Sequence, residues 1–291
     1  MSENIKNNDK ANINWYPGHM SKAKRLMSAD LKLIDVLIEL VDARIPEASR
    51  NPDINKMANG KARVILLNKS DLADPAVTAR WAEHYQKNGY FVISVDSRNK
   101  KTLSKVKETV IKACAPKIER DRKKGIKNRP VRAMICGIPN VGKSTFINSF
   151  VGKTAAKTGN KPGVTKGNQW IRIDNNIELL DTPGILWPKF EEETGKKLAF
   201  IGSINDNILI PSEMAYYLYD YLTKLYPGVF EKHYELEEPA DKYDAINKLA
   251  VKRGCLIRGG EADVERAARL FIDDFRNCKL GRMSLETPEE F

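Results

Sequence analysis

The sequence predicts an α/β protein whose parallel sheet is followed by a small all-helical C-terminal domain, and two observations predict it. Up to about residue 180, short β-branched apolar runs alternate with helix-like stretches, the pattern of a parallel sheet covered on both faces. Beyond Pro188 the strand-like runs stop, and amphipathic stretches broken by Pro227-Gly228 and Gly259-Gly260 take over. With 291 residues, 42% of them apolar and 30% charged, the chain has room for one large and one smaller domain, expected at 1–188 and 189–291.

The strands are expected, in chain order, at 36–41, 62–67, 90–95, 131–136 and 177–180, the last ending at Asp181. Apolar residues at helical spacing mark 79–88 and 102–113, and the basic, proline-bounded stretch 116–130 reads as a connector. In the second domain the helices are expected at 214–225, 240–253 and 262–275.

The net charge of +11 is uneven. Thirteen Lys/Arg between residues 100 and 132 face three acids, Glu108, Glu119 and Asp121. Such a surplus favours a polyanionic partner bound with strong salt dependence; the plainer alternative is a solvated helix face and linker. The first dozen residues are polar, and no stretch approaches the roughly 18 apolar residues of a membrane helix, so neither secretion nor a membrane partner is expected. Cys114, Cys136, Cys255 and Cys278 lack both Cys-x-x-Cys spacing and a histidine cluster, which speaks for a reducing cytoplasm over disulfides or zinc. A monomer is the expected state.

Gly137-Ile138-Pro139-Asn140-Val141-Gly142-Lys143-Ser144 follows an apolar strand and opens an apolar helix at Thr145. Glycines in such a loop let successive backbone N–H groups turn onto phosphate oxygens, and the following helix adds the positive end of its dipole. Asn140, Val141, Gly142, Lys143, Ser144 and Thr145 are therefore expected around a nucleotide's phosphates. Lys143 would reach the β/γ-phosphates, and Ser144 would take a position on Mg2+. Asp181-Thr182-Pro183-Gly184 closes another strand and matches the DxxG element, with Asp181 holding Mg2+ through water and the Gly184 amide sensing the γ-phosphate. Between them Lys161-Pro162-Gly163-Val164-Thr165 reads as a switch, with Thr165 as second hydroxyl on Mg2+ and Thr158 as the competing residue.

Asn68-Lys69-Ser70-Asp71 ends a strand ahead of the phosphate loop. A carboxylate at Asp71 can accept from the ring N–H and exocyclic amine of guanine together, whereas adenine would leave it unpaired. The fifth guanine element, commonly Ser-Ala, falls by spacing on Asp96 and Ser97. In the usual GTPase order the Asn-Lys-x-Asp element follows the phosphate loop; here the order is rotated. A sheet gathers these loops at one edge however its strands are connected, so the prediction is a circularly permuted P-loop GTPase domain binding GTP and GDP. Rotation also wires DxxG through Ile185-Leu186-Trp187-Pro188 into the helical domain, which γ-phosphate occupancy is expected to reorient.

Two features depart from common GTPases. Ile185 occupies the place of the glutamine that orients the attacking water, so slow intrinsic hydrolysis is expected. Asn140 is the kind of side chain that accompanies a K+ ion beside the phosphates. His19, after Pro17-Gly18, either reaches the γ-phosphate on its N-terminal segment or merely packs at a helix start; His84 and His233 read as structural.

Trp15-Tyr16-Pro17-Gly18-His19-Met20, Val41-Asp42-Ala43-Arg44-Ile45-Pro46, Asn68-Lys69-Ser70-Asp71, residues 137–144, Asp181-Thr182-Pro183-Gly184 and Lys252-Arg253-Gly254-Cys255 together resemble the circularly permuted GTPases of the bacterial RbgA (YlqF) type, over about residues 12–288. The resemblance implies a cytoplasmic GTPase that joins the large ribosomal subunit precursor late in assembly, contacts 23S rRNA and leaves after hydrolysis. It implies that His19 substitutes for the missing glutamine. It further implies an RNA-binding helical domain, which suits Lys248, Lys252, Arg253 and Arg258, with Arg266 and Arg269 beside them. Asp96-Ser97 departs from the family's Ser-Ala.

Overall fold

A computed structural model describes residues 28–58, 60–126, 129–152, 169–182, 186 and 190–291. Among them the sheet has six strands in the order β3-β2-β1-β4-β6-β5. The central strand β1 (Val36–Asp42) is buried at every position, as a parallel strand covered on both faces must be. It pairs in parallel with β2 (Ala62–Asn68) on one side and β4 (Val131–Cys136) on the other. Parallel pairing continues to β3 (Phe91–Ser94) and β6 (Ile177–Asp181). The register sets Asp42 beside Asn68 and Ile135 beside Asp181, so the loops that carry the motifs leave from one edge.

β5 (Gln169–Arg172), not among the expected strands, closes the sheet antiparallel to β6. It is a short edge strand with few apolar residues: Ile171 is buried, while Trp170 stays exposed under the Arg132 guanidinium, 5.4 Å from its ring centre.

Helices cover the faces. A short α1 (Pro52–Met57) follows β1, with the Asn51 side chain accepting from the Asp53 amide. α2 (Pro75–Lys87) starts with Asp74 accepting from the Ala76 and Val77 amides and Pro75 at its first position. Its Val77, Trp81 and Tyr85 bury against Val41, Ile65 and Leu67. α3 (Lys100–Ala113) buries Leu103, Val106 and Val110 on the opposite face. Part of the predicted connector is a helix, α4 (Ala115–Lys123), which has no buried residue. Pro116 sits harmlessly in its first turn, and Lys117–Asp121 and Lys123–Glu119 pair at i,i+4. Because α4 has no apolar stripe, periodicity could not reveal it.

α5 (Lys143–Val151) follows the phosphate loop. The helical part then comprises α6 (Glu192–Phe200), α7 (Pro211–Leu225), α8 (Val229–Tyr234), α9 (Lys242–Lys252) and α10 (Val264–Arg276). α10 buries Ala267, Ala268, Phe271, Ile272 and Phe275, a stripe at helical spacing, against a core continuous with that of the sheet.

The chain end leaves the helical part and lies on the sheet domain. Met283 N–H donates to Leu72 O (3.1 Å) and Leu285 N–H to Arg44 O (2.8 Å). The buried Glu286 carboxylate accepts from the amides of Glu47 (2.9 Å) and Ala48 (3.2 Å) and from Lys197 Nζ (3.2 Å), while Trp81 Nε1 donates to Glu286 O (3.1 Å).

Candidate nucleotide site

The loops after β1, β2, β3, β4 and β6 share the carboxyl edge of the sheet, where open α/β folds bind ligands. Asn68 staples three of them. It is buried; its Nδ2 donates to Val141 O (2.7 Å), and its Oδ1 accepts from Ser97 N–H (3.2 Å) and Ser97 Oγ–H (2.7 Å). Lys69 Nζ donates to Asn140 O (2.7 Å). The element ahead of the phosphate loop in sequence thus grips that loop in space. Ser70 N–H donates to Val95 O (3.1 Å), binding the guanine-type loop to the end of β3.

Two glycines permit this closeness. Gly142 has φ of 94°, and a Cβ there would lie 2.5 Å from Asn68 Nδ2; at Gly137, φ 150°, a Cβ would lie 2.5 Å from Leu40 O. Asn140 is itself left-handed at φ 60°, a conformation asparagine tolerates better than most residues. Its side-chain amide donates to Gly202 O beyond α6, and Ser203 Oγ donates to Pro139 O (2.8 Å). The phosphate loop is therefore tied to the helical part as well as to Asn68.

Lys143 is buried and curls back to donate to Gly137 O (3.0 Å) and Ile138 O (2.7 Å). Burial pushes its pKa down to about 8 against the pull of Asp181. Ser144 and Thr145 follow in the first turn of α5, partly exposed. Asp181 is buried at the end of β6, and burial raises its carboxyl to about 6 despite Lys143 and the Thr182 amide. Among the described residues its Oδ1 has no hydrogen-bond partner. A buried carboxylate oxygen left open, with the Ser144 hydroxyl in the same loop cluster, fits a hydrated divalent cation.

Asp71 and Asp96 are partly exposed and share the Arg98 guanidinium, which pairs with Asp71 and lies 3.3 Å from Asp96 Oδ1. Ser97, expected at the guanine by spacing, is the hydrogen-bond partner of Asn68, and no spacing rule points to Arg98. Nor does one disclose what Asp42 does. This fully buried carboxylate receives Arg44 through Nε (2.9 Å) and Nη2 (2.8 Å), and Lys69 Nζ at 2.9 Å. Burial opposes its ionisation, but Arg44 and Lys69 outweigh burial and hold the carboxyl far below the usual range. An acid at the end of a central strand buried at every position was the available signal.

His19, Thr158, Thr165, Gly184 and Ile185 lie outside the described residues. The basic residues assigned to the helical domain fall into two settings. Lys252, Arg253 and Arg258 are exposed around the turn from α9 to α10, whereas Lys248 folds onto its own helix, 2.9 Å from Asp244. His84 sits against Trp81 and Tyr85, and His233 against Tyr234.

A model of the 50S ribosome-binding GTPase family matches residues 132–244, starting on β4 just before the phosphate loop. The chain is 46% identical to ribosome biogenesis GTPase A of Priestia megaterium, covering 96% of this chain and 98% of that one. It is 34% identical to the protein of the same name from Thermotoga maritima, covering 96% and 95%. The chain belongs to the ribosome biogenesis GTPase A family. Among solved structures, GDP-bound TM YlqF superposes with a TM-score of 0.66 at 30% identity, over 91% of this chain and 100% of that one. GNP-bound YlqF from T. maritima gives 0.65 at 31%, over 92% and 99%. Membership in the ribosome biogenesis GTPase A family makes the chain a GTP-hydrolysing enzyme of ribosome biogenesis, and the permuted order explains why the family match begins at β4, where the conventional order begins. Among the described residues no helix is long and apolar enough to cross a membrane.

Proposed function

We propose that this GTPase acts at a late step of large (50S) subunit assembly in the cytoplasm, binding 23S rRNA in the precursor as a monomer and leaving when GTP is hydrolysed. The observation that carries the reading is where the surplus positive charge lies. Lys112, Arg120, Arg122 and Lys123 are exposed on α3 and α4, and Lys252, Arg253 and Arg258 at the turn from α9 to α10. Basic surfaces on both parts of the molecule suit a phosphate backbone. The matched family's description as 50S ribosome-binding supports the choice of subunit.

In this reading Asp71 exchanges Arg98 for the guanine N–H groups, Asn68 and Lys69 hold the base loop to the phosphate loop, and Ser97 supports Asn68. Asp96 lies beside the base. Lys143 releases its own loop's carbonyls to meet the β/γ-phosphates, where the amides from Asn140 to Thr145 also converge. Ser144, Asp181 and Thr165 would hold Mg2+, which supplies charge neutralisation at the phosphates. The Gly184 amide would meet the γ-phosphate, and Asn140 would serve a K+ ion. With Ile185 unable to orient water, His19 takes that role.

Co-sedimentation tests the proposal. With a non-hydrolysable GTP analogue the protein should pellet with large-subunit precursors and be released as salt rises; no pelleting at low salt would sink it. His19→Ala should keep GTP affinity and lose the hydrolysis that subunits stimulate.

A further inference from the structure

The contacts around the phosphate loop close into a circuit that passes through the helical domain. Lys69 Nζ holds Asn140 O; the Asn140 side chain holds Gly202 O, and Ser203 Oγ, buried, holds Pro139 O. Gly202 and Ser203 follow the C-terminus of α6, whose last carbonyls are gripped by one side chain of α10. Arg276 Nε donates to Phe200 O (2.9 Å), and its Nη2 to Ala199 O (2.7 Å). Asp206 fixes the same guanidinium at 2.8 Å. Arg276 thus caps the negative end of the helix whose exit touches the phosphate loop. The return path runs from Arg276 O to Arg44 Nη1 (3.4 Å), from Arg44 to Asp42, and from Asp42 back to Lys69. Arg44 also lies over the Phe275 ring, 5.6 Å from its centre.

We propose that Arg276 is a positioning residue of the nucleotide site, through which docking of the helical domain sets nucleotide affinity. It touches no nucleotide position itself. Its side chain holds the α6 exit in register with Pro139 and Asn140, while its backbone carbonyl, which substitution leaves in place, meets Arg44 and, through Asp42, Lys69. A nucleotide between those two loops and a helical domain seated on the circuit therefore favour each other. By linkage, a partner that pulls the helical domain off its seat weakens nucleotide binding to the same degree. This deepens the GTP-site reading and rests on it.

The test compares GDP dissociation constants and backbone hydrogen exchange for the full-length protein, Arg276→Ala, Arg276→Lys and Ser203→Ala. Arg276→Ala should bind GDP about five-fold more weakly, at the lower end of ordinary coupling between sites. Arg276→Lys, able to meet one carbonyl, should fall between it and the parent. GDP should slow exchange at residues 199–203 in the parent and much less in Arg276→Ala. A role confined to stability would lower the melting temperature and leave the dissociation constant of the folded fraction unchanged, and that result overturns the proposal. If Arg276→Ala fails to fold, Ser203→Ala decides by the same constant, because it breaks the circuit at a single hydroxyl. Failure of the parent itself to bind GDP would overturn the GTP-site reading, and this proposal with it; tight parental binding with an unaffected variant overturns this proposal alone.

Discussion

Replacing Asn68 with alanine cuts the joint between the base loop and the phosphate loop. Three hydrogen bonds disappear, to Val141 O (2.7 Å), Ser97 N (3.2 Å) and Ser97 Oγ (2.7 Å), all in buried surroundings. At a net ~1 kcal/mol each, the loss is ~3 kcal/mol, and the Val141 carbonyl and Ser97 hydroxyl left behind set that as a lower bound. The joint is made by protein groups alone, so its loss costs folding stability. For a chain of 291 residues, ~3 kcal/mol lowers the melting temperature by roughly 5 °C, read by differential scanning calorimetry. GDP affinity should fall as well, since the Asn140–Thr145 loop loses its anchor. Ser97→Ala removes only the hydroxyl and should cost ~1 kcal/mol. If Asn68→Ala melts within a degree or so of the parent and binds GDP normally, the stapling role of Asn68 is refuted.

Gly142→Ala should be more damaging than its size suggests, because the added methyl meets Asn68 Nδ2 at 2.5 Å and the backbone is left-handed; strain alone is ~1–2 kcal/mol, and nucleotide affinity should drop with stability. Proton linkage gives a second check. The folded carboxyl of Asp181 is raised to about 6, so its contribution to stability is fully present below the ordinary carboxylate range and is lost as pH rises from there through 6. Lys143 is depressed to about 8, so charging it costs ligand-free stability as pH falls from 10.5 towards 8. In the proposed site, Mg2+ and nucleotide would favour both charged forms. Calorimetry in buffers of different ionisation enthalpy should record release of about half a proton near pH 6 and uptake of about half a proton near pH 8. Asp181→Asn should reduce the release near pH 6 by about half a proton, leaving the part that comes from the nucleotide's terminal phosphate, and keep the second event.

Most of the sheet was legible because parallel strands buried on both faces announce themselves as apolar runs; 131–136 coincides with β4, and 36–41 falls one residue short of β1. What escaped had no periodic signal: β5 is a four-residue edge, α4 lacks a buried face, α1 and α8 are six residues each, and the buried residues of α6, Lys197 to Phe200, run consecutively. The site divides in the same way. Motif residues Asn68, Lys69, Gly142 and Ser97 come together as local chemistry and strand register require. Arg98, Ser203 and Arg276 enter through contacts whose partners lie far apart in the chain, and no spacing rule connects Arg276 with Ala199, or Ser203 with Pro139. The return of the chain end to the sheet was not legible, because no spacing rule connects Glu286 with the Glu47 and Ala48 amides it accepts from.

The central claim is that a base-selecting loop and a phosphate-gripping loop, reversed in chain order, form one guanine nucleotide site. Isothermal titration of the purified protein with GTP and ATP at equal Mg2+ tests it most directly. The account predicts GTP bound at least about a hundredfold more tightly than ATP, with Asp71→Ala erasing most of that difference. Equal affinity for the two nucleotides, or selectivity untouched by loss of Asp71, would contradict it.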